Sequence, residues 1–143
     1  MKLILALFLF LFGARQPDKV SQHTDVQMVL NQVLNSNEMV KFTSHYSRKA
    51  EVIYFRFEPS AAYNNATLGG LQDLVLTIKG SPPLVYDEHQ NEKRKPVVTI
   101  QILAMDNHAA EVRIGLPIEG VVGQFVLVKQ STWRIAKSNV YEI

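Results

Sequence analysis

The spacing of apolar residues changes character three times along the chain. Residues 3–12 form an unbroken apolar run behind Met1 and Lys2. From Ser21 the period becomes helical. Val26, Val29, Leu30, Val33 and Leu34 stand at offsets 0, 3, 4, 7 and 8, one stripe of an amphipathic helix. Thr24 or Asp25 offers a side-chain oxygen to cap its start, and Asn35-Ser36-Asn37 ends it. A shorter helix is expected from Asn37 to about Ser47, with Met39, Phe42 and Tyr46 on one side.

Glu51 to Phe57 is β-branched and aromatic, and predicts a strand stopped by Pro59. Residues 60–67 are polar and turn-rich, a loop in which Tyr63 is either a lid or simply exposed. Leu68, Leu71, Val75 and Ile78 then recur at helical spacing as far as Gly80-Ser81-Pro82-Pro83. Residues 73–79 also alternate with period two, so a strand competes with the helix there. The last sixty residues read as an antiparallel meander. Strands are expected at 84–90, 97–105, 110–116, 121–129 and 132–141, with Asp106-Asn107 and Gln130-Ser131 among the turns. Helices first and hairpin-linked strands last predict an α+β fold, a single domain over residues 21–143 with its N-terminal helices packed on one face of a strongly bent antiparallel sheet.

The leading run changes the reading of the charge. A basic start, ten apolar residues and then Gly13-Ala14 match a secretory signal peptide over residues 1–16, followed by a linker at 17–20. At about 1.5 Å per residue the run spans roughly 15 Å, half of a bilayer core of about 30 Å. The chain carries fifteen Lys and Arg against thirteen Asp and Glu, a formal charge of +2. Loss of Lys2 and Arg15 with the leader leaves thirteen against thirteen. The mature domain is then neutral, with no net-charge reason to bind nucleic acid or an anionic membrane. Export to a periplasm or the extracellular space is expected. Because the chain has no cysteine, disulfides, thiolate metal sites and thiol nucleophiles are excluded, and the core alone must hold the domain.

Four patches carry a family likeness. They are Phe42 to Val52, Gly69-Gly70-Leu71, Thr99 to Ile114, and Gly123 to Lys129 followed by Trp133-Arg134-Ile135. In that order they resemble the turn into the first strand, the start of the third helix, and the central and closing hairpins of the nuclear transport factor 2-like superfamily. The last two are most similar to its lumazine-binding-like and related secreted branches. The resemblance implies a cystatin-like cone, a pocket between helices and concave sheet, and often a homodimer. It implies no single activity, since the superfold hosts isomerases, dehydratases, binders and scaffolds.

The chemistry legible in the sequence is sparse. None of the histidines, His23, His45, His89 and His108, lies three or four residues from another. In the densest cluster, Asp87-Glu88-His89, only Asp87 and His89 share a strand face, too few ligands for a closed metal site. No nucleophile elbow or phosphate loop is present, and Lys93-Arg94-Lys95 reads as a solvated turn. Ketosteroid isomerases of the resembled fold place an Asp base on the first strand; counting from Ala50, that position here is Tyr54. A phenol with a pKa near 10 is a poor base at neutral pH. No catalytic, metal or cofactor residue is therefore assigned.

The expectation is an exported binding module for a small apolar or aromatic molecule, walled by Phe42, Tyr46, Tyr54, Arg56, Tyr86, Phe125 and Trp133. An isomerase or dehydratase using Tyr54, His45 or Asp87 is one alternative. A structural homodimer with a filled cone is the other. In the binding module as well as in the filled cone a homodimer through the outer sheet face is expected, where Val97, Leu103 and Met105 would be apolar and pair two copies, with neither nucleic acid nor, after leader cleavage, membrane as partner.

Overall fold

The computed structural model describes residues 19–49, 51–88 and 95–143. The expected signal peptide, half of the linker, Ala50, His89, Lys93 and Arg94 lie outside the described residues. The fold is α+β in a single chain. Two helices open it, α1 (Lys19–Leu34) and α2 (Asn37–Arg48), followed by strand β1 (Tyr54–Glu58). Next come a short helix α3 (Asn65–Leu68), a single 3-10 turn and strand β2 (Val85–Tyr86). Strands β3 (Val97–Met105), β4 (Ala109–Leu116), β5 (Val121–Lys129) and β6 (Trp133–Glu142) complete one six-stranded sheet in the order β2-β1-β3-β4-β5-β6.

The sheet is mixed, a correction to the wholly antiparallel expectation. β3 to β6 form the antiparallel meander, but β1 pairs in parallel with both β2 and β3. Alternation along a strand says which face each residue occupies and nothing about its neighbour's direction, so the sequence pattern is the same either way. A parallel neighbour needs a long crossover, and residues 59–84 supply one between β1 and β2.

The core joins the α1 stripe to the inner face of the sheet. Val29, Leu30 and Val33 belong to one buried cluster with Phe55, Ile100, Val112, Ile114, Phe125 and Leu127. α2 approaches β5 closely. A Cβ on Gly123 would meet the Phe125 ring at 2.6 Å and Met39 Sδ at 3.2 Å, so only glycine lets that ring fold over its own strand beneath the helix. Two β-bulges set which residues face outward. Leu103 is the extra residue between Ile102 and Ala104, so parity flips after it and Met105 packs against the core. The outer apolar patch expected of Val97, Leu103 and Met105 therefore loses its largest member. The outer face instead carries a polar row, Glu58, Gln101, Arg113, Gln124 and Asn139, in register across five strands.

Residues 74–78 are neither of the competing predictions. Helix α3 and its 3-10 turn end by Leu71, and the chain then runs extended with Leu74, Leu76 and Ile78 buried and Val75 exposed. Period two decides the conformation, but no strand pairs with it. Its partner is a helix. Gln27 Oε1 accepts from Val75 N at 2.9 Å, and Asn31 donates to Val75 O at 3.0 Å while accepting from Thr77 N at 2.8 Å. Asn35 then donates to Thr77 O and accepts from Lys79 N, both at 2.8 Å. Every fourth residue of a helix advances about 6 Å and every second residue of an extended chain about 6.6 Å, so the two periods run together over three rungs. Leu84 N returns to Leu76 O at 2.8 Å, and Val85 N to Ile53 O at 3.0 Å, so this strap positions β2 beside β1.

On its other flank α1 is clamped to the closing hairpin. Asp25 is buried mid-helix rather than at a cap, because α1 begins at least six residues earlier, at Lys19. Its Oδ1 accepts from Trp133 Nε1 and from Lys129 Nζ, each at 3.0 Å. Trp133 is buried, and Lys129 stands 5.9 Å over its ring.

Two stability measurements follow from these contacts. Asn31→Ala is expected to lower unfolding stability by about 1–2 kcal/mol although alanine is the better helix former, and to expose the Thr77 amide to hydrogen exchange while Val75, bonded to Gln27, stays protected. Asp25→Ala, which strands a buried indole N–H and a part-exposed ammonium, should cost about 2–3 kcal/mol in chemical denaturation, with Asp25→Asn closer to the parent.

Candidate functional site

The seven residues expected to wall one pocket do not converge. Phe125, Trp133 and Tyr46 are buried in the core cluster, and Phe42 and Tyr86 pack against it. Tyr46 donates its hydroxyl to Glu119 in the β4–β5 turn, and His45 Nε2 lies 3.5 Å from the same carboxylate oxygen. Tyr86 stacks edge-on against Phe55 at 5.6 Å. Tyr54 and Arg56, by contrast, alternate with the buried Phe55 and share register with Val97 and Thr99 on the outer face. The sheet itself separates them from Phe125 and Trp133.

The acid–base candidates are also dispersed. Asp87 is buried and ion-paired with Lys95, whose ammonium sits 4.6 Å over the Tyr54 ring. That places Asp87 and Tyr54 around one lysine at the β1–β2 edge, while His45 belongs to the Glu119 group. Tyr63, expected as a lid or an exposed side chain, is buried, and its hydroxyl oxygen accepts from Gln22 Nε2 at 2.6 Å.

Three clefts stand out among the described residues, and the commitments of their polar groups tell them apart. The largest, about 830 Å³, is an open trough along α1 and β6. Three of its amides, Gln27, Asn31 and Asn35, are spent on the strap backbone, while Gln32, Asn37 and Lys137 make no side-chain bond among the described residues. The second, about 500 Å³, lies at the start of α1 between Tyr63 and Leu71. There Gln22 is bonded to Tyr63, and His23 to Asp73 at 2.9 Å.

The third cleft, about 310 Å³, lies on the outer sheet face. Thr99 and Gly115, direct partners in the β3–β4 ladder, form its floor. A Cβ on Gly115 would come within 2.3 Å of Thr99 Oγ1, so the missing side chain is what gives that hydroxyl its place. Arg56 and Arg113 flank the floor from β1 and β4, and Glu58 stands one tier along. Pro117, Val122 and Ile143 make the apolar wall. Thr99 is only 8% exposed, and its hydroxyl, bonded by no described residue, reaches the solvent of the cleft. The guanidinium groups of Arg56 and Arg113 likewise have no ion-pair or hydrogen-bond partner among them. Gln101 alone is engaged, donating to Pro59 O at 3.0 Å.

Of this group the sequence pattern singled out Arg56. Thr99, Arg113 and Gly115 read there as ordinary strand residues. One signal was present: a glycine inside an alternating strand, Arg113-Ile114-Gly115-Leu116, marks a close approach of other atoms.

No family model matches this chain, and no curated protein or solved structure is significantly similar to it.

Two titrations are shifted by local contacts. Burial pushes the Tyr63 phenol above its ordinary value, an effect that the Gln22 bond opposes. The hydrogen bond from His23 holds the exposed Asp73 carboxyl below its ordinary value. Because the folded-state Tyr63 pKa is raised, its contribution to stability is intact below the unfolded phenol value near 10 and is lost as pH climbs through the folded value. Denaturant midpoints measured from pH 9 to 11.5 should therefore fall less steeply in Tyr63→Phe than in the parent.

Proposed function

We propose that this chain is an exported small-molecule-binding module, and that its ligand sits on the outer face of the sheet rather than between helices and sheet. The observation that carries the reading is the convergence of unpaired donors in one cleft. The Arg56–Thr99–Arg113 cleft brings two guanidinium groups and a threonine hydroxyl together, none of them bonded to a protein group among the described residues. Donors that converge without a protein partner are available to a bound molecule. At about 310 Å³ the cleft is at the small end for ligand sites, with room for roughly ten water-sized groups.

The wider architecture fits a nuclear transport factor 2-like fold. Two helices, a short strand, a short helix and a run of long strands occur in the order that the resemblance implies. On that reading α1 and α2 lie in the concavity of a bent sheet. The concavity is filled, since Leu30, Phe55 and Phe125 are at most 1% exposed. Export is supported by the apolar run at 3–12 and by a cysteine-free chain whose stability rests on packing. A second copy meeting the outer face would encounter the polar row from Glu58 to Asn139, which suits a site rimmed by solvent better than a dimer seam.

The reading is tested by amide-resolved NMR of the mature domain against a mixed fragment library. Binders should shift the Thr99, Gly115 and Val122 amides. Gly115→Ala, which pushes a methyl group into the floor, should remove those shifts while the rest of the spectrum persists. Shifts confined to the core or to the α1 trough would overturn it.

A further inference from the structure

The two edges of the sheet are managed differently. β2 is two residues long, and Leu84 just before it is already bonded to Leu76 of the strap, so this edge offers a newcomer almost no ladder. β6 is ten residues long, and residues 134–142 make no backbone hydrogen bond except to β5 among the described residues. A long row of free N–H and C=O groups is a template for another strand. Along β6 the usual protection is confined to the start. Ala136 is the extra residue of the bulge opposite Val126 and Leu127, and Lys137 follows it. Beyond them Ser138-Asn139-Val140-Tyr141-Glu142 pairs regularly with β5, and Asn139, Tyr141 and Glu142 are exposed.

The order of these residues fits a second copy of the same strand. A two-fold axis perpendicular to a sheet keeps each face on its own side, so antiparallel self-pairing joins only residues of one face. Lys137, Asn139 and Tyr141 lie on the outer face, in register with Val126, Gln124 and Val122. Ser138, Val140 and Glu142 lie on the inner one, in register with Phe125, Gly123 and Val121. An axis at Val140 sets Val140 against itself, Asn139 against Tyr141 and Ser138 against Glu142, with Lys137 facing Ile143. No like charges stand directly opposite. The two valines meet on the inner face, and Lys137 reaches the Tyr141 ring of the other copy along the diagonal. Neighbouring registers are poorer. An axis at Asn139 draws the bulged Ala136 into the ladder, and one at Tyr141 opposes Val140 to the Glu142 carboxylate.

We propose that two copies of this chain join through the free edge of β6, antiparallel about Val140, into one continuous sheet of two six-stranded halves. The join covers an edge and not the polar row of the outer face. Both outer faces stay open on one side of the joined sheet, so the association is independent of what the Arg56–Thr99–Arg113 cleft holds. So short a seam belongs to the weak, transient class of interface.

The experiment is sedimentation equilibrium of the mature domain from roughly 10 µM to 1 mM, the range suited to a weak interface, where the average mass should rise from one protomer toward two. Asn139→Lys/Tyr141→Lys and Asn139→Glu/Tyr141→Glu each set like charges opposite and should each stay monomeric. Mixed in equal amounts they should associate again, since every lysine then faces a glutamate. The cysteine-free chain allows a second measurement. Asn139→Cys mixed with Tyr141→Cys should cross-link under mild oxidation, whereas either variant alone holds its sulfurs on the diagonal, with backbones about 7–8 Å apart, too far for a ready disulfide. A parent that stays monomeric at the highest concentration overturns the proposal. A dimer that survives in the lysine variant, or single cysteine variants that cross-link as fast as the mixture, places the seam elsewhere and overturns it as well. So does a mixture of charge variants that stays monomeric while both keep the amide dispersion of the parent.

Discussion

Helix α1 is held on both flanks, and the rest of the architecture depends on that restraint. On one side Gln27, Asn31 and Asn35 act as a substitute strand, offering donors and acceptors at a spacing that an extended chain can follow. On the other, Asp25 accepts from Trp133 and Lys129 across more than a hundred residues of sequence. Asparagine is a modest helix former, so placing Asn31 inside the helix costs local stability, while Asn35 follows the helix's last residue. The strap repays this by burying Leu74, Leu76 and Ile78 without leaving their neighbours' backbone groups unpaired.

That restraint reaches the candidate site through the sheet edge. The strap carries Leu84 back to Leu76 and brings Val85 alongside Ile53, which gives β1 its second neighbour. With β2 on one side and β3 on the other, β1 is a paired strand, and Arg56 projects from a fixed backbone next to Thr99. Arg113 and Gly115 arrive from the antiparallel meander on the far side of β3. The cleft is therefore assembled from a parallel pair and an antiparallel pair that share one central strand. Its donors sit on strands rather than loops, so their positions are fixed by the paired backbone.

Several elements were legible from residue spacing alone. The α1 stripe, the second helix and the four strands of the meander appear where alternation and helical period put them, because those periods report directly on a one-sided core. Residues 73–79 were ambiguous for a physical reason: the buried leucines call for an extended chain, but the groups that pair with it belong to helix side chains forty-odd residues earlier. Asp25 reads as a cap from local sequence and proves to be a buried acceptor once Trp133 is brought to it. For the candidate site, one strand face could be read at Arg56. Neither the partner rows nor the inward flip of Met105 could be, since a bulge at Leu103 leaves no mark on composition.

By itself the sequence determined the class of the fold, the leader-like start, the neutrality of residues 17–143 and the absence of any thiol chemistry. Those properties depend on residue types and short-range periods, which are fixed before the chain folds. Only the tertiary structure decided which side of the sheet each aromatic or basic residue occupies relative to the others. It filled the inner face with Phe125 and Trp133 and set Arg56, Thr99 and Arg113 together on the outer one. Strand direction and register bring residues from β1, β3 and β4 into one tier, and register is a property of the paired strands that no single strand's sequence contains.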